Sequence, residues 1–386
     1  MHQSEALREQ FLLDPSITFL NHGSFGACPR PVFAEYQRWQ LELERQPVEF
    51  LGRRFTVLMR AARERLAAYV HTNADNIVYV PNATTGINIV ARSLRLGPDD
   101  EVLTTDHEYG AIDRTWRFLC EKSGAAYRSL PVPIPSPGAA EFVERFWAGV
   151  TPRTRVIFLS HITAPTAIIL PVRELCRRAR EAGILTVIDG AHAVGQIPLD
   201  LDALGADFYT SNCHKWLCAP KGSAFLYARP ACQSLVEPLV VSWGWQSETP
   251  GPSRFVDEQE WRGTFDPAAC LATPAAIDFF AARHWDEVRA ACHALAAEAR
   301  RRLAALTGLP PICADEAFAQ MFSALLPPGD GDALKRRLYD ESRVEVPLWN
   351  WNGRPMLRVS IQGYNTRADV DRLIGALERL LSEKQV

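Results

Sequence analysis

The sequence predicts an α/β protein: a large unit with a mostly parallel sheet flanked by helices, followed by a smaller C-terminal α+β unit. Three observations predict it. Short β-like runs alternate with helical patterns through the first two thirds of the chain. One of those runs, LTVID, ends in a carboxylate, Asp189, at the place where a parallel sheet presents ligand-binding groups. After residue 270 the rhythm changes to a long Ala/Arg-rich helix, short strands and a closing helix.

The elements follow in order. Helices are expected at 32–45 and 56–70; in the second, Val57, Leu58, Ala61, Ala62, Leu66 and Tyr69 fall near a 3.6-residue period. The strand-like NIVYV then leads into PNATTGINIV (81–90), whose hydroxyls and Gly86 open an apolar helical stretch. Strands are expected at 101–105, 155–160, 185–189 and 223–228, separated by helices such as VRELCRRAREAG, which ends at Gly183 in the usual position just past a helix. PVPIPSPG (131–138) reads as a proline-rich surface loop inside the large unit. Beyond it come a helix at 286–305, the strands FSALL, VEVPL and PMLRVSIQ, and a helix from 366. The expected division is an arm at 1–20, a large domain at 21–269 and a small domain at 270–386.

Three of these places carry chemistry. In DFYTSNCHKWLCAPKGSAFLY (207–227) a lysine, Lys215, stands between two β-like runs, after Ser211 and His214. A lysine that condenses with an aldehyde cofactor needs a crowded setting that lowers its amine pKa, and hydroxyl and imidazole groups suit a phosphate. Asp189, 26 residues earlier, is aimed to hold a protonated ring nitrogen, the electron sink of pyridoxal phosphate (PLP). Thr84 and Thr85 open a helix whose free N–H groups favour a phosphate. Each signal also has an ordinary reading: a solvated lysine, a helix-capping aspartate, a capped helix. Phosphate turn, then Asp, then Lys is more specific than any one of them.

With FLNHGSFGACP (19–29), NATTGIN, DHEYGA (106–111), SHITAPTAIILPV (160–172), DGAHAVGQ (189–196) and SNCHKW (211–216), the chain resembles the class V aminotransferase-like group of fold type I PLP enzymes, and within it the isopenicillin N epimerase-like branch. The resemblance runs from about residue 15 to residue 370. It implies Lys215 as the Schiff-base lysine, Asp189 as the partner of the ring nitrogen, and His192 near the cofactor's phenolic oxygen. Thr84, Thr85, Ser211 and His214 match phosphate positions. DHEYGA should supply the group that stacks on the ring, Tyr109 in preference to His107. WRGTFDP (261–267) resembles a segment that reaches the cofactor phosphate of a neighbouring subunit, so Gly263 and Thr264 imply a homodimer with shared active sites; Arg262 replaces a residue that is usually Thr.

Arg358, in LRVSIQGYN, matches the arginine that this family uses for a substrate carboxylate, which a guanidinium grips bidentately. Asn21, His22 and Gly23 are further candidates for substrate binding. Trp349 and Trp351 fit either a substrate pocket or interdomain packing.

The resemblance implies an enzyme acting at the α-carbon of an amino acid or its derivative. Epimerisation is the preferred reading, with β-elimination by a C–S lyase or transamination as alternatives. Desulfuration through a cysteine persulfide is disfavoured, because 340–360 contains no cysteine and Cys313 lies 45 residues before Arg358. For epimerisation Tyr109, His107 and His22 are the candidate second proton donors.

Composition narrows the field further. With 386 residues, 23% of them charged and a net charge of −3, the chain shows no basic stripe for nucleic acid and no run long enough to span a membrane. Nine unpaired-looking cysteines suit a reducing compartment, and a cytoplasmic enzyme is expected. Cys213, His214 and Cys218 lack a second ligand pair, so no metal is expected. Neither GxGxxG nor GxxxxGK[ST] occurs, which argues against a nucleotide-binding enzyme.

Overall fold

The computed structural model describes residues 7–383. Two helices, α1 (Arg30–Arg45) and α2 (Phe55–Tyr69), precede the sheet. The sheet's seven strands are β1 (Ile77–Val80), β2 (Glu101–Thr105), β3 (Ala126–Leu130), β4 (Thr154–Ser160), β5 (Leu185–Asp189), β6 (Phe208–Ser211) and β7 (Ala224–Ala228). Their spatial order is β3-β2-β4-β5-β6-β7-β1, and only β7 runs antiparallel to its neighbours. Apolar side chains from both faces of the sheet enter two separate cores, Val187 and Phe208 on one side, Ile188 and Tyr209 on the other. This is the pattern of a sheet covered by helices on both faces. Among those helices are α3 (Ala83–Ser93), α4 (Gly110–Ser123), α5 (Ala139–Trp147) and α6 (Val172–Glu181).

The C-terminal part holds a long helix, α7 (Trp285–Thr307), an antiparallel sheet of β8 (Met321–Leu325), β9 (Leu348–Trp351) and β10 (Arg354–Ser360), and the helices α8 (Gly331–Ser342) and α9 (Arg367–Ser382). Thr366 and Asp369 form a reciprocal capping box that starts α9. The N-terminal arm, whose first six residues lie outside the described ones, does not stand apart. Thr18–Phe19 pairs in parallel with Val344–Glu345, and Asn21 bridges to Ser360. No helix of the described residues is long and apolar enough to cross a membrane.

Two expectations change. VEVPL is not one strand: its first two residues pair with the arm, and Leu348 starts a hairpin with β10. In α2 the core face is turned from the one expected. Val57 and Ala61 are exposed, while Phe55, Met59, Ala62, Arg63, Leu66 and Ala67 are buried. Arg63 joins that face because its guanidinium pairs with the buried Glu260 at 2.7 Å and donates to the Ala74 carbonyl, so the charge enters satisfied. The edge strand β3 was not anticipated; all five of its residues are half-buried, which leaves no strong pattern to read.

Candidate active site

The carboxyl ends of β2, β4, β5 and β6 point to one region, and the loops that follow them carry the candidate residues. Asp189 ends β5 beside Ser160 of β4 and Thr210 of β6. It is buried, one carboxylate oxygen accepts the Ala191 N–H at 2.8 Å, and the other has no hydrogen bond within the described residues. Burial raises its pKa, and Lys215 opposes that rise.

Lys215 follows β6. Its Nζ lies 3.2 Å from His192 Nε2. Burial, reinforced by the positive Arg358, pulls its pKa down to about 7, against the pull of Asp189. A lysine so placed is a ready nucleophile near neutral pH. The turn that carries it is fixed from outside by the segment that follows the arm: Gly26, at φ +70°, lies so close to His214 that any Cβ would drive into the His214 carbonyl. His192 is buried and holds a pKa well below the ordinary value, mainly by desolvation. Its Nδ1 accepts the indole N–H of Trp216 at 3.2 Å.

The phosphate turn is the start of α3. Asn82 caps it by accepting the Thr85 N–H at 2.8 Å, and the Ala83 N–H goes to Asn212 Oδ1 at 2.8 Å. The Thr84 N–H and hydroxyl have no hydrogen bond within the described residues, so the helix offers an anion both a donor and its positive end. His214 gives one ring nitrogen to the Ser223 carbonyl at 3.1 Å; burial lowers its pKa to about 4.

Ser211 corrects the sequence reading. Its hydroxyl donates to the Gly190 carbonyl and accepts the Val194 N–H, and its side chain is fully buried. Successive strand residues face opposite ways, so the side chain that reaches the helix start is the next one, Asn212, whose amide NH₂ has no partner among the described residues. Sequence reasoning missed Asn212 because a hydroxyl was sought. His107 is a second correction. It is fully buried, its nitrogens bond Thr166 and the Val132 carbonyl, and Trp351 packs edge-on against its ring at 4.7 Å. Tyr109, by contrast, is half exposed and close enough to Arg358 to interact with it electrostatically.

Arg358 on β10 is buried, and among the described residues no carboxylate pairs with it. One Nη donates to the Ala164 carbonyl, the other to Ser24 at 3.2 Å, Nε is unpartnered, and the Trp349 ring lies 5.4 Å away. Even so, burial pulls its pKa down only to about 10, so it stays cationic. Ser24, not singled out by sequence, donates in turn to Asn21, which donates to Glu345. Asn21 therefore supports the guanidinium from behind.

His22 is not a free base. It is fully buried beneath the lysine turn, hydrogen bonded to Tyr364 and the Lys215 carbonyl, both at 2.9 Å. Desolvation drops its pKa to about 3. Gly23 is wedged where a Cβ would strike Met321 and Ser360. Gly263 is half-buried and Thr264 exposed, and among the described residues neither hydrogen bonds to this cluster. Arg262 instead donates to the Tyr79 carbonyl and covers Phe265.

An unpaired helix-start donor, a buried carboxylate with one free oxygen and a lysine with a lowered pKa fit PLP: phosphate, ring nitrogen and aldehyde each meet a suitable group. Comparison with known proteins agrees. The aminotransferase class-V family pattern matches residues 29–373. Isopenicillin N epimerase of Amycolatopsis lactamdurans is 38% identical over 97% of both chains. "Probable L-cysteine desulfhydrase, chloroplastic" of Arabidopsis thaliana is 29% identical over 96% of this chain and 84% of its own. The cysteine desulfurase CsdA of Escherichia coli superposes with a TM-score of 0.81 at 24% identity over 98% of both chains, a likeness of fold. The chain belongs to the class-V aminotransferase family, and it is a PLP-dependent enzyme.

Proposed function

We propose that this enzyme acts at the α-carbon of an amino acid or amino-acid derivative and inverts its configuration, as an isopenicillin N epimerase-like enzyme. The observation that carries the substrate class is Arg358: a buried guanidinium that, among the described residues, has three unused N–H donors and no carboxylate of its own calls for one from the substrate. Bound PLP supplies an electron sink that weakens the bonds at the α-carbon. The chain's own residues do the rest. Asp189 would hold the ring nitrogen, Thr84, Asn212 and His214 would hold the phosphate, and Tyr109 would cover the ring. Arg358 would orient the substrate so that its α-proton faces Lys215, whose amine, with a pKa near neutral, takes that proton.

Inversion needs a second donor on the opposite face. His107 and His22 have both ring nitrogens occupied, which leaves the Tyr109 hydroxyl as the candidate. The 38% identity to an epimerase over nearly the whole chain favours this reading. Likeness to a desulfhydrase supports C–S β-elimination as the second. Persulfide chemistry has no support, since among the described residues eight cysteines are buried and the half-buried Cys28 has its thiol pKa pushed up to about 12 by burial. The active unit is proposed to be a homodimer, completed by Gly263 and Thr264 of a second copy.

Incubating the holoenzyme with D- and L-amino acids and cysteine conjugates in D₂O tests the reaction. Inversion with deuterium at the α-carbon is expected. Pyruvate and ammonia from a cysteine conjugate, with no inversion of any substrate, would make the enzyme a lyase. A fully active monomer by light scattering would overturn the shared-site assembly.

A further inference from the structure

We infer that Trp216 is a positioning residue: its indole N–H fixes which nitrogen of His192 carries the proton, so that the ring presents a donor and not an acceptor to the Lys215 amine. An indole N–H only donates, and it reaches His192 Nδ1 at 3.2 Å, so Nδ1 must accept. In a neutral imidazole the proton is then on Nε2, an assignment that follows from the hydrogen-bond network. Nε2 lies 3.2 Å from Lys215 Nζ. The bond therefore runs from the ring to the lone pair of a neutral amine; an ammonium there would set two donors against each other.

Trp216 is held so that it cannot turn away. It is fully buried among Ile162, Ala167 and Met321, with the His22 ring 5.0 Å from it. Gly195 is pressed against its main chain so closely that a Cβ would collide with it. The charged and titratable groups facing the lysine and histidine from the surrounding elements are Asp189, Arg358, His22 and His214. Asp189 favours the ammonium, while Arg358 disfavours it. A donor bonded to the neutral form acts in the same sense as Arg358 and lowers the amine's pKa. That form is needed to capture an aldehyde: the nitrogen lone pair makes the new C–N bond and the carbonyl oxygen leaves as water.

The inference rests on Lys215 as the cofactor lysine, and its test separates the two claims. In ¹⁵N-histidine-labelled protein without cofactor, with His192→Gln used to assign the signal, His192 should be protonated at Nε2 and bare at Nδ1. Trp216→Phe should populate the Nδ1–H form, whose Nε2 now accepts from an ammonium. The pH midpoint for capture of added PLP, followed by absorbance, should then rise by about one unit, equivalent to one hydrogen bond of about 1.4 kcal/mol. Met321→Ala loosens the same pocket without touching the N–H, and should change neither tautomer nor midpoint. A wild-type ring protonated at Nδ1 overturns the inference, even if Trp216→Phe fails to fold. So does a Trp216→Phe protein that keeps the wild-type tautomer, or a Met321→Ala protein that loses it. The expected tautomers with PLP captured on another lysine would fault Lys215 and leave the role of Trp216 intact.

Discussion

Replacing Arg358 by methionine separates its two possible roles by sign. Among the described residues the guanidinium is a buried cation without a counter-charge, held by the Ala164 carbonyl and Ser24 while Nε has no partner. Removing such a group gives up two hydrogen bonds, each worth about 1 kcal/mol, but also removes the desolvation of a charge, which costs several kcal/mol. Stability should therefore be unchanged or higher. Binding should move the other way. A substrate carboxylate left buried and unpaired costs about 2–5 kcal/mol, which is about 30-fold to 4,000-fold in affinity at about 1.4 kcal/mol per tenfold. The assay is equilibrium binding to the holoenzyme of an amino acid and of the amine that lacks its carboxylate, beside a denaturant titration. Arg358→Met should erase the preference for the acid. If it keeps that preference, or if it lowers stability while binding is unaltered, the guanidinium is a structural group and the substrate class argued from it falls.

Asp189→Asn should retain cofactor but lose on the order of 10²-fold or more in turnover, because an amide does not hold the ring nitrogen protonated; an unchanged kcat would remove that role. Asn212→Ala should weaken PLP binding about 10-fold or more, the scale of one hydrogen bond to a charged group, whereas Ser211→Ala should leave it nearly unaltered. Fluorescence titration of the two variants decides between them, and the reverse ranking would restore the serine. Capture of PLP by the wild-type protein should speed up as pH rises through about 7, since the Lys215 amine must lose its proton first. A midpoint near the ordinary lysine value would deny its desolvation.

The order of phosphate turn, aspartate and lysine was legible in the chain because each sits at the end of a strong strand or the start of a helix, where local pattern fixes position. Asp189 and Lys215 stand where that reading places them. Strand ends are less forgiving of detail. The one-residue alternation that turns Ser211 inward and Asn212 toward α3 depends on where β6 ends, which composition alone does not define. His22 and His107 have the residue type of a catalytic base, but tertiary partners at distant positions, Tyr364, Thr166 and Val132, consume their nitrogens. Ser24 lies inside the opening FLNHGSFGACP motif, but nothing in that motif singles it out; the approach of β10 gives it a role. Arg63 shows the same limit in the core, where an ion pair to Glu260 overrides hydrophobic periodicity.

The pairing of the arm with the far end of the chain has a consequence for how the enzyme comes into being. Asn21 meets Glu345 across 324 residues, and His22 meets Tyr364 across 342. In chain order the sheet strands and the lysine turn are all made while the last hundred residues are still unmade. Until they appear, Thr18–Phe19 has no strand to join, the carbonyl of Lys215 rests on a histidine with only one of its two anchors, and Ser24 has no arginine to hold. Contacts this remote close late and slowly. Completion of the site thus waits on the last strand, and a chain truncated before β10 would lack Arg358 and with it the proposed grip on a substrate carboxylate.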